Sequence, residues 1–128
     1  MATITIYLKY SAGDLQYSTD NVNYQVMAET SIVGANPGDT VMWTCADDSI
    51  DKINNINVGK TKSSGGNWKD IWSNKPAATD NTKRTFSGVV NTDPESPTNP
   101  ALNGYDINYK IKNGDQKDKD PTIQVPQP

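Results

Sequence analysis

The chain has 128 residues, with 12 basic and 15 acidic side chains, one cysteine, no histidine and a net charge of −3. This length predicts one domain, residues 1–128, that buries roughly two-thirds of the surface exposed by the unfolded chain. The acidic balance argues against nucleic-acid binding, because phosphate recognition needs a concentrated basic face. A single cysteine leaves no partner for an internal disulfide. Signal-peptide and membrane-spanning patterns are both missing, which predicts a cytoplasmic protein with no membrane partner.

Composition favours an all-β fold. Apolar residues make up 34% of the chain, and turn-forming residues are abundant. The clearest alternation lies in residues 3–10 and 104–112, where apolar side chains recur at every second position. The patterns predict a single β-sandwich of about seven to nine strands. In chain order, the candidate strands are residues 3–10, 22–27, 41–45, 50–58, 68–72, 83–90, 104–112 and 122–125, and residues 15–18 and 31–35 are optional short strands.

A turn at Pro37-Gly38-Asp39 leads into the strand that organises the chain. Pro37 presets φ, and Gly38 can adopt positive φ. Val41, Trp43 and Cys45 then share one face, and a buried Trp is typical of a central sandwich strand. Residues 60–67, 74–82, 91–100 and 112–120 are predicted to be polar loops. In residues 50–58 the isoleucines are spaced by three, which allows a helical turn or a bulged strand, and the three asparagines favour the strand.

Two short motifs resemble known families. The turn-strand sequence Gly38-Asp39-Thr40-Val41-Met42-Trp43, together with the late strand from Gly104 to Lys112, resembles the cupredoxins. The closing Asp120-Pro121-Thr122-Ile123-Gln124-Val125 resembles small bacterial inclusion-body proteins of the AidA-like type. These resemblances imply a cupredoxin-like Greek-key sandwich and a bacterial cytoplasmic protein that accumulates or assembles. Blue-copper sites use two His and one Cys, so a chain without His implies a copper-free version with no metal or cofactor.

Catalysis has few candidates in this chain. The thiol of Cys45 lacks the histidine base that usually activates it, and its strand phase predicts a buried apolar role. The acidic candidates lie in or beside polar turns, where Asp normally caps the backbone. We therefore predict that the protein is not an enzyme and has no catalytic residue. These acidic candidates are Asp47, Asp48, Asp51, Asp93 and Glu95.

Calcium remains an alternative, because its oxygen ligands need neither His nor Cys. One candidate group is Asp115, Asp118 and Asp120, and the other is Asp47, Asp48 and Asp51. The EF-hand pattern is not matched, because the run that begins at Asp115 has no Gly at its sixth position and no Glu at its twelfth, and interspersed lysines would oppose a cation.

The remaining classes are a binding module and a self-assembling protein. Exposed aromatic rings beside Asn or Asp suit a sugar, so Trp68 and Trp72 with Asn67 and Asp70 form the predicted ligand site. Packing of both Trp side chains in an outer strand is the competing interpretation. Strand edges with few charges at residues 3–7 and 25–30 instead favour a homo-oligomer. We predict a non-enzymatic binding or self-assembling module, with lectin-like carbohydrate binding as the alternative.

Overall fold

A computed structural model describes residues 2–28, 31–60, 71–92 and 101–125. The described residues form eleven strands and no helix, which confirms the all-β prediction but exceeds the seven to nine strands expected, because short and polar segments also pair. Accordingly, these ranges contain no helix that could cross a membrane. The strands are β1 (Thr3–Ser11), β2 (Asp14–Ser18), β3 (Gln25–Val26), β4 (Ile32–Gly34), β5 (Thr40–Cys45), β6 (Ile50–Lys60), β7 (Trp72–Ala78), β8 (Thr85–Val90), β9 (Ala101–Ile111), β10 (Gln116–Lys119) and β11 (Thr122–Val125).

The strands form two mixed sheets. The first has the order β3-β2-β1-β5-β8-β7, and the second has the order β10-β9-β11-β4 with β6 also paired to β9. Neighbouring strands are antiparallel except in two pairs, β1 with β5 and β4 with β11. The β1–β2 connection is a tight hairpin in which Ala12 and Gly13 both have positive φ, as its two-residue turn requires.

The core lies between the two sheets and follows the predicted alternation. Trp43 on β5 and Tyr105 on β9 are both fully buried, and their rings meet edge to face with centroids 5.3 Å apart. Ile107 and Tyr109 continue the buried face of β9, as predicted for the late strand. Cross-sheet aromatic packing of this kind adds to the free energy gained by burying apolar area.

The turn before β5 is also as predicted. Gly38 has a φ of +84°, and the carboxylate of Asp39 is buried. Asp39 accepts hydrogen bonds from the backbone N–H groups of Ala2, at 2.8 Å, and Asn36, at 2.9 Å. One side chain therefore ties the turn to the start of β1.

Two predicted loops contain strands. Residues 74–82 were expected to be a loop because of Pro76, but Trp72–Ala78 forms β7 at the end of the first sheet. An edge strand tolerates a proline, since one side of its backbone needs no donor, and the ladder with β8 is irregular on both sides of Asn74. Residues 112–120 contain β10, whose polar sequence Gln-Lys-Asp-Lys has no apolar period to reveal it.

Three other strands were predicted from the sequence, and the structure changes or refines their bounds. The predicted strand 22–27 shortens to Gln25–Val26, because Asp20 holds the preceding residues in a side-chain-stabilised turn. The predicted strand 68–72 is described only from residue 71 onward, and β7 begins at Trp72. Strand β6 has three register irregularities against β9, so the bulged-strand interpretation of residues 50–58 is confirmed.

Candidate functional site

Trp72, the described member of the predicted sugar site, is a core residue. Its side chain is 7% exposed, and its ring centroid lies 6.0 Å from that of Trp43. The indole Nε1–H donates a 3.1 Å hydrogen bond to Oδ1 of Asn103, which is itself fully buried. Trp72 therefore presents no ring face to solvent, and packing explains its place in the pattern. The other three predicted residues, Asn67, Trp68 and Asp70, lie outside the described residues.

Cys45 ends the Trp43 strand in a half-buried position, packed against the core. Burial raises the pKa of its thiol to about 11, although the nearby Arg84 guanidinium acts in the opposite direction. The thiol is therefore protonated at neutral pH, which makes it a poor nucleophile and a poor metal ligand.

The carboxylates do not come together in the two groups that the calcium hypothesis named. Asp118 and Asp120 lie with Asp106 of β9, and one oxygen from each of the three falls within 4.8 Å of the others. Ca²⁺ takes six to eight oxygens, so three carboxylates supply only part of a site. Asp115 is not a member of this cluster.

The second acidic group is divided among separate partners. Asp47 accepts hydrogen bonds from Ser49, Asp48 lies 3.1 Å from Lys112, and Asp51 lies 3.8 Å from Lys110. Hydrogen bonds from Ser49 hold the pKa of Asp47 below its usual range. These contacts fit turn and surface roles for the three carboxylates.

One lateral side of the sandwich has open strand edges. Strands β3 and β4, which end the two sheets, border a common cleft of about 520 Å³ that we call the edge cleft. Ile4 of β1 also lines the cleft. The β1–β2 ladder begins at Tyr7, so within the described strands residues 3–6 of β1 are paired only with β5. Residues 3–7 were expected to be an edge, and the structure leaves their first four positions open on one side.

Three large aliphatic side chains are exposed on or next to strands β3 and β4, and of these Ile32 lines the edge cleft itself. Val22 in the turn before β3 is 77% exposed, Val26 on β3 is 50% exposed, and Ile32 on β4 is 45% exposed. The neighbouring turn is nevertheless well ordered by hydrogen bonds. Oδ1 of Asp20 accepts from the backbone N–H groups of Val22 and Asn23, both at 2.8 Å, and these bonds hold the pKa of Asp20 well below its usual range.

The opposite lateral side of the sandwich is protected from pairing with another chain. The exposed edge strand β7 carries Lys75 and Pro76, which both disfavour pairing with another chain. At the start of β6, the Arg84 guanidinium donates to the backbone carbonyls of Ile50 and Asp51, at 2.7 and 3.0 Å. The two sides of the sandwich therefore differ in their capacity to pair with a second chain.

A second groove, of about 440 Å³, lies between the β1–β2 hairpin and β10. We call it the Tyr10 groove. Tyr10 is partly buried, and its ring lies 6.3 Å from the ring of Tyr109, which is 1% exposed. An ion pair of 2.7 Å between Lys119 and Asp14 joins the two walls and lowers the pKa of Asp14. The groove is lined by Tyr10, Gly13, Asp14, Tyr109, Gln116, Lys117, Asp118 and Lys119.

The chain matches no protein-family model, and no curated protein matches it. The cupredoxin-like and AidA-like resemblances therefore stay predictions.

Sequence reasoning found part of the edge cleft. It named residues 3–7 and 25–30 as strand edges, but it did not bring Tyr10 together with β10. The run 116–119 has no apolar pattern, so no local signal could have placed it as a strand beside the hairpin. Residues 112–120 were instead predicted to be a polar loop, with Asp118 in a candidate calcium group.

Proposed function

We propose that the protein is a non-enzymatic, self-assembling module of the bacterial cytoplasm, built as a copper-free, cupredoxin-like Greek-key sandwich. The observation that carries this proposal is the exposure of Val26 and Ile32 on the two strands that end the sheets at the edge cleft. Exposed aliphatic side chains on unprotected strand edges are a surface that another chain can cover.

The proposed partner is a second copy of this chain. β7 and the start of β6 are protected from pairing with another chain. Both copies would therefore use the side with the edge cleft, which gives a closed, two-fold symmetric dimer. The open backbone of residues 3–6 would supply hydrogen bonds by strand addition, and the aliphatic side chains would supply apolar contact.

The magnitudes favour association that depends on concentration. Burying Val22, Val26 and Ile32, which are already partly covered, contributes roughly 2–5 kcal/mol per subunit. Association costs about 4–15 kcal/mol in translational and rotational freedom. The apolar contribution of two subunits is of the same order, so backbone pairing decides the net affinity. We expect a dimer whose population rises over the micromolar range.

The experiment is light scattering after size exclusion over a concentration series. A lysine on an edge strand opposes pairing, so Val26→Lys and Ile32→Lys should each shift the protein towards monomer. Ala77→Lys is the matched control, because Ala77 is exposed on the protected edge strand β7. Circular dichroism on each variant verifies that the sheet content is unchanged.

A wild type whose mass increases with concentration, together with monomeric Val26→Lys and an unaffected Ala77→Lys, supports the proposal. A wild type that stays monomeric at every concentration refutes it. Equal effects of Val26→Lys and Ala77→Lys would also refute it, since the association would then not use the edge cleft.

A further inference from the structure

We propose that the Tyr10 groove binds an uncharged sugar. The groove shares no lining residue with the edge cleft, so this site is separate from the proposed assembly surface. Its volume of about 440 Å³ is within the range of small-molecule sites. It combines one partly exposed aromatic ring with amide, carboxylate and phenol groups, and a sugar likewise presents an apolar face and a polar edge.

The hydroxyl of Tyr109 points to a ligand with hydrogen-bonding groups. Tyr109 is 1% exposed and lines the groove, yet its hydroxyl makes no hydrogen bond with any residue that the structure describes. The hydroxyl oxygen is not among the sealed, unpartnered atoms of the described residues, so it opens into the groove, where water or a ligand can bond to it. Burial raises the pKa of Tyr109, so the phenol keeps its proton and can both donate and accept. A sugar hydroxyl, or the water that it displaces, satisfies this group.

The charges of the groove favour a neutral ligand. Two acids, Asp14 and Asp118, face two lysines, Lys117 and Lys119, so the lining residues carry no net charge, and a carboxylate oxygen of Asp118 also lies within 4.8 Å of those of Asp106 and Asp120. The pair of Lys119 and Asp14 is already satisfied at 2.7 Å. An anion would lie beside the carboxylate of Asp118, and a cation would lie beside the ammonium of Lys117. A polyhydroxyl compound can instead donate to Asp118 and accept from Lys117 without an unfavourable charge contact.

Tyr10 provides the apolar surface. The ammonium of Lys117 lies 5.8 Å from the centroid of the Tyr10 ring, at the outer limit of a cation–π contact. A contact that long is weak, so the flexible Lys117 side chain can move aside when a sugar ring packs on Tyr10. The carboxylate of Asp118 and the amide of Gln116 are both exposed on β10, within reach of the hydroxyls at the edge of that sugar.

The test is a titration of ¹⁵N-labelled full-length protein, followed by NMR. The probes are the methyl glycosides of glucose, galactose, mannose and N-acetylglucosamine, with glucuronate and inorganic phosphate as anionic probes. The hairpin amides at Gly13 and Asp14 and the β10 amides report on the groove. Tyr109→Phe removes only the hydroxyl, and Tyr7→Phe on β1 is the matched control, since Tyr7 lines neither opening.

We expect at least one neutral glycoside to shift the hairpin and β10 amides in a saturable way. Tyr109→Phe should weaken that binding roughly two- to tenfold, which is the loss that one neutral hydrogen bond supports, and Tyr7→Phe should leave it unchanged. The proposal is overturned if no neutral glycoside shifts these amides, or if only the anionic probes do. It is equally overturned if Tyr109→Phe binds the glycoside as tightly as the wild type.

Discussion

The hydrogen bond between Trp43 and Tyr105 gives the sharpest test of the core. Nε1–H of Trp43 donates to the hydroxyl of Tyr105 at 3.1 Å, and both side chains are fully buried. Tyr105→Phe removes one oxygen and leaves the ring in place, so it creates almost no cavity. The indole N–H is then buried without that acceptor, which costs about 1–3 kcal/mol of the free energy of unfolding.

Urea denaturation followed by tryptophan fluorescence measures this cost. With a slope of about 1–3 kcal/mol per molar urea, a loss of 2 kcal/mol lowers the midpoint by roughly 1 M, and a domain of this size loses about 6–10 °C in Tm. Tyr7→Phe is the control, because its hydroxyl is not part of the buried network, and it should change the stability by less than about 0.5 kcal/mol.

An equal effect of Tyr105→Phe and Tyr7→Phe would refute the reasoning. Hydrogen exchange at the Trp43 indole gives an independent measurement. It should be slow in the wild type and faster in Tyr105→Phe, since loss of the acceptor weakens the local protection. Unchanged exchange together with unchanged stability would mean that the hydroxyl does not satisfy this donor.

Two further predictions concern β8 and the thiol. Gly88→Ala should cost about 1–3 kcal/mol in urea denaturation, because the new Cβ would lie 3.0 Å from the backbone N of Pro76 and from Cζ3 of Trp72; a loss below 0.5 kcal/mol would contradict this. The pKa of the Cys45 thiol is raised from near 9 in the unfolded chain to about 11 in the folded protein. Between these values the unfolded thiol ionises while the folded thiol stays protonated. The contribution of Cys45 to the free energy of unfolding is therefore complete below pH 9 and is lost as the pH rises through about 11. Alkylation by iodoacetamide at pH 8 should therefore be roughly a hundredfold slower in the folded protein than in urea, and equal rates would show that the thiol is not protected.

Periodicity predicted the elements that face the core. The alternation in β9 placed Tyr105, Ile107 and Tyr109 on one buried face, and the Pro37-Gly38-Asp39 turn led into the Trp43 strand as expected. These features depend on local backbone geometry and on the period-two pattern of a strand, which a sequence displays directly.

The same reasoning was wrong at the edges of the sheets. β10 consists entirely of polar residues and β7 contains Pro76 and no alternating apolar pattern, because an edge strand buries little, and residues 74–82 and 112–120 were consequently assigned to loops. Trp72 shows the related ambiguity of an aromatic side chain. Its spacing allowed an exposed or a buried ring. The structure shows a buried ring that packs against Trp43 and donates a hydrogen bond to Asn103.

The sequence by itself determined that this chain is an all-β protein with a Trp-centred core and no histidine chemistry. Only the tertiary structure decided which strands end the sheets and what lies beside them. The edge cleft exists because β3 and β4 come together from opposite sheets, and the Tyr10 groove exists because β10 lies against the β1–β2 hairpin. The physical reason is that both openings are made by residues far apart in the chain, and strand order and register between distant segments leave no local pattern in a single sequence.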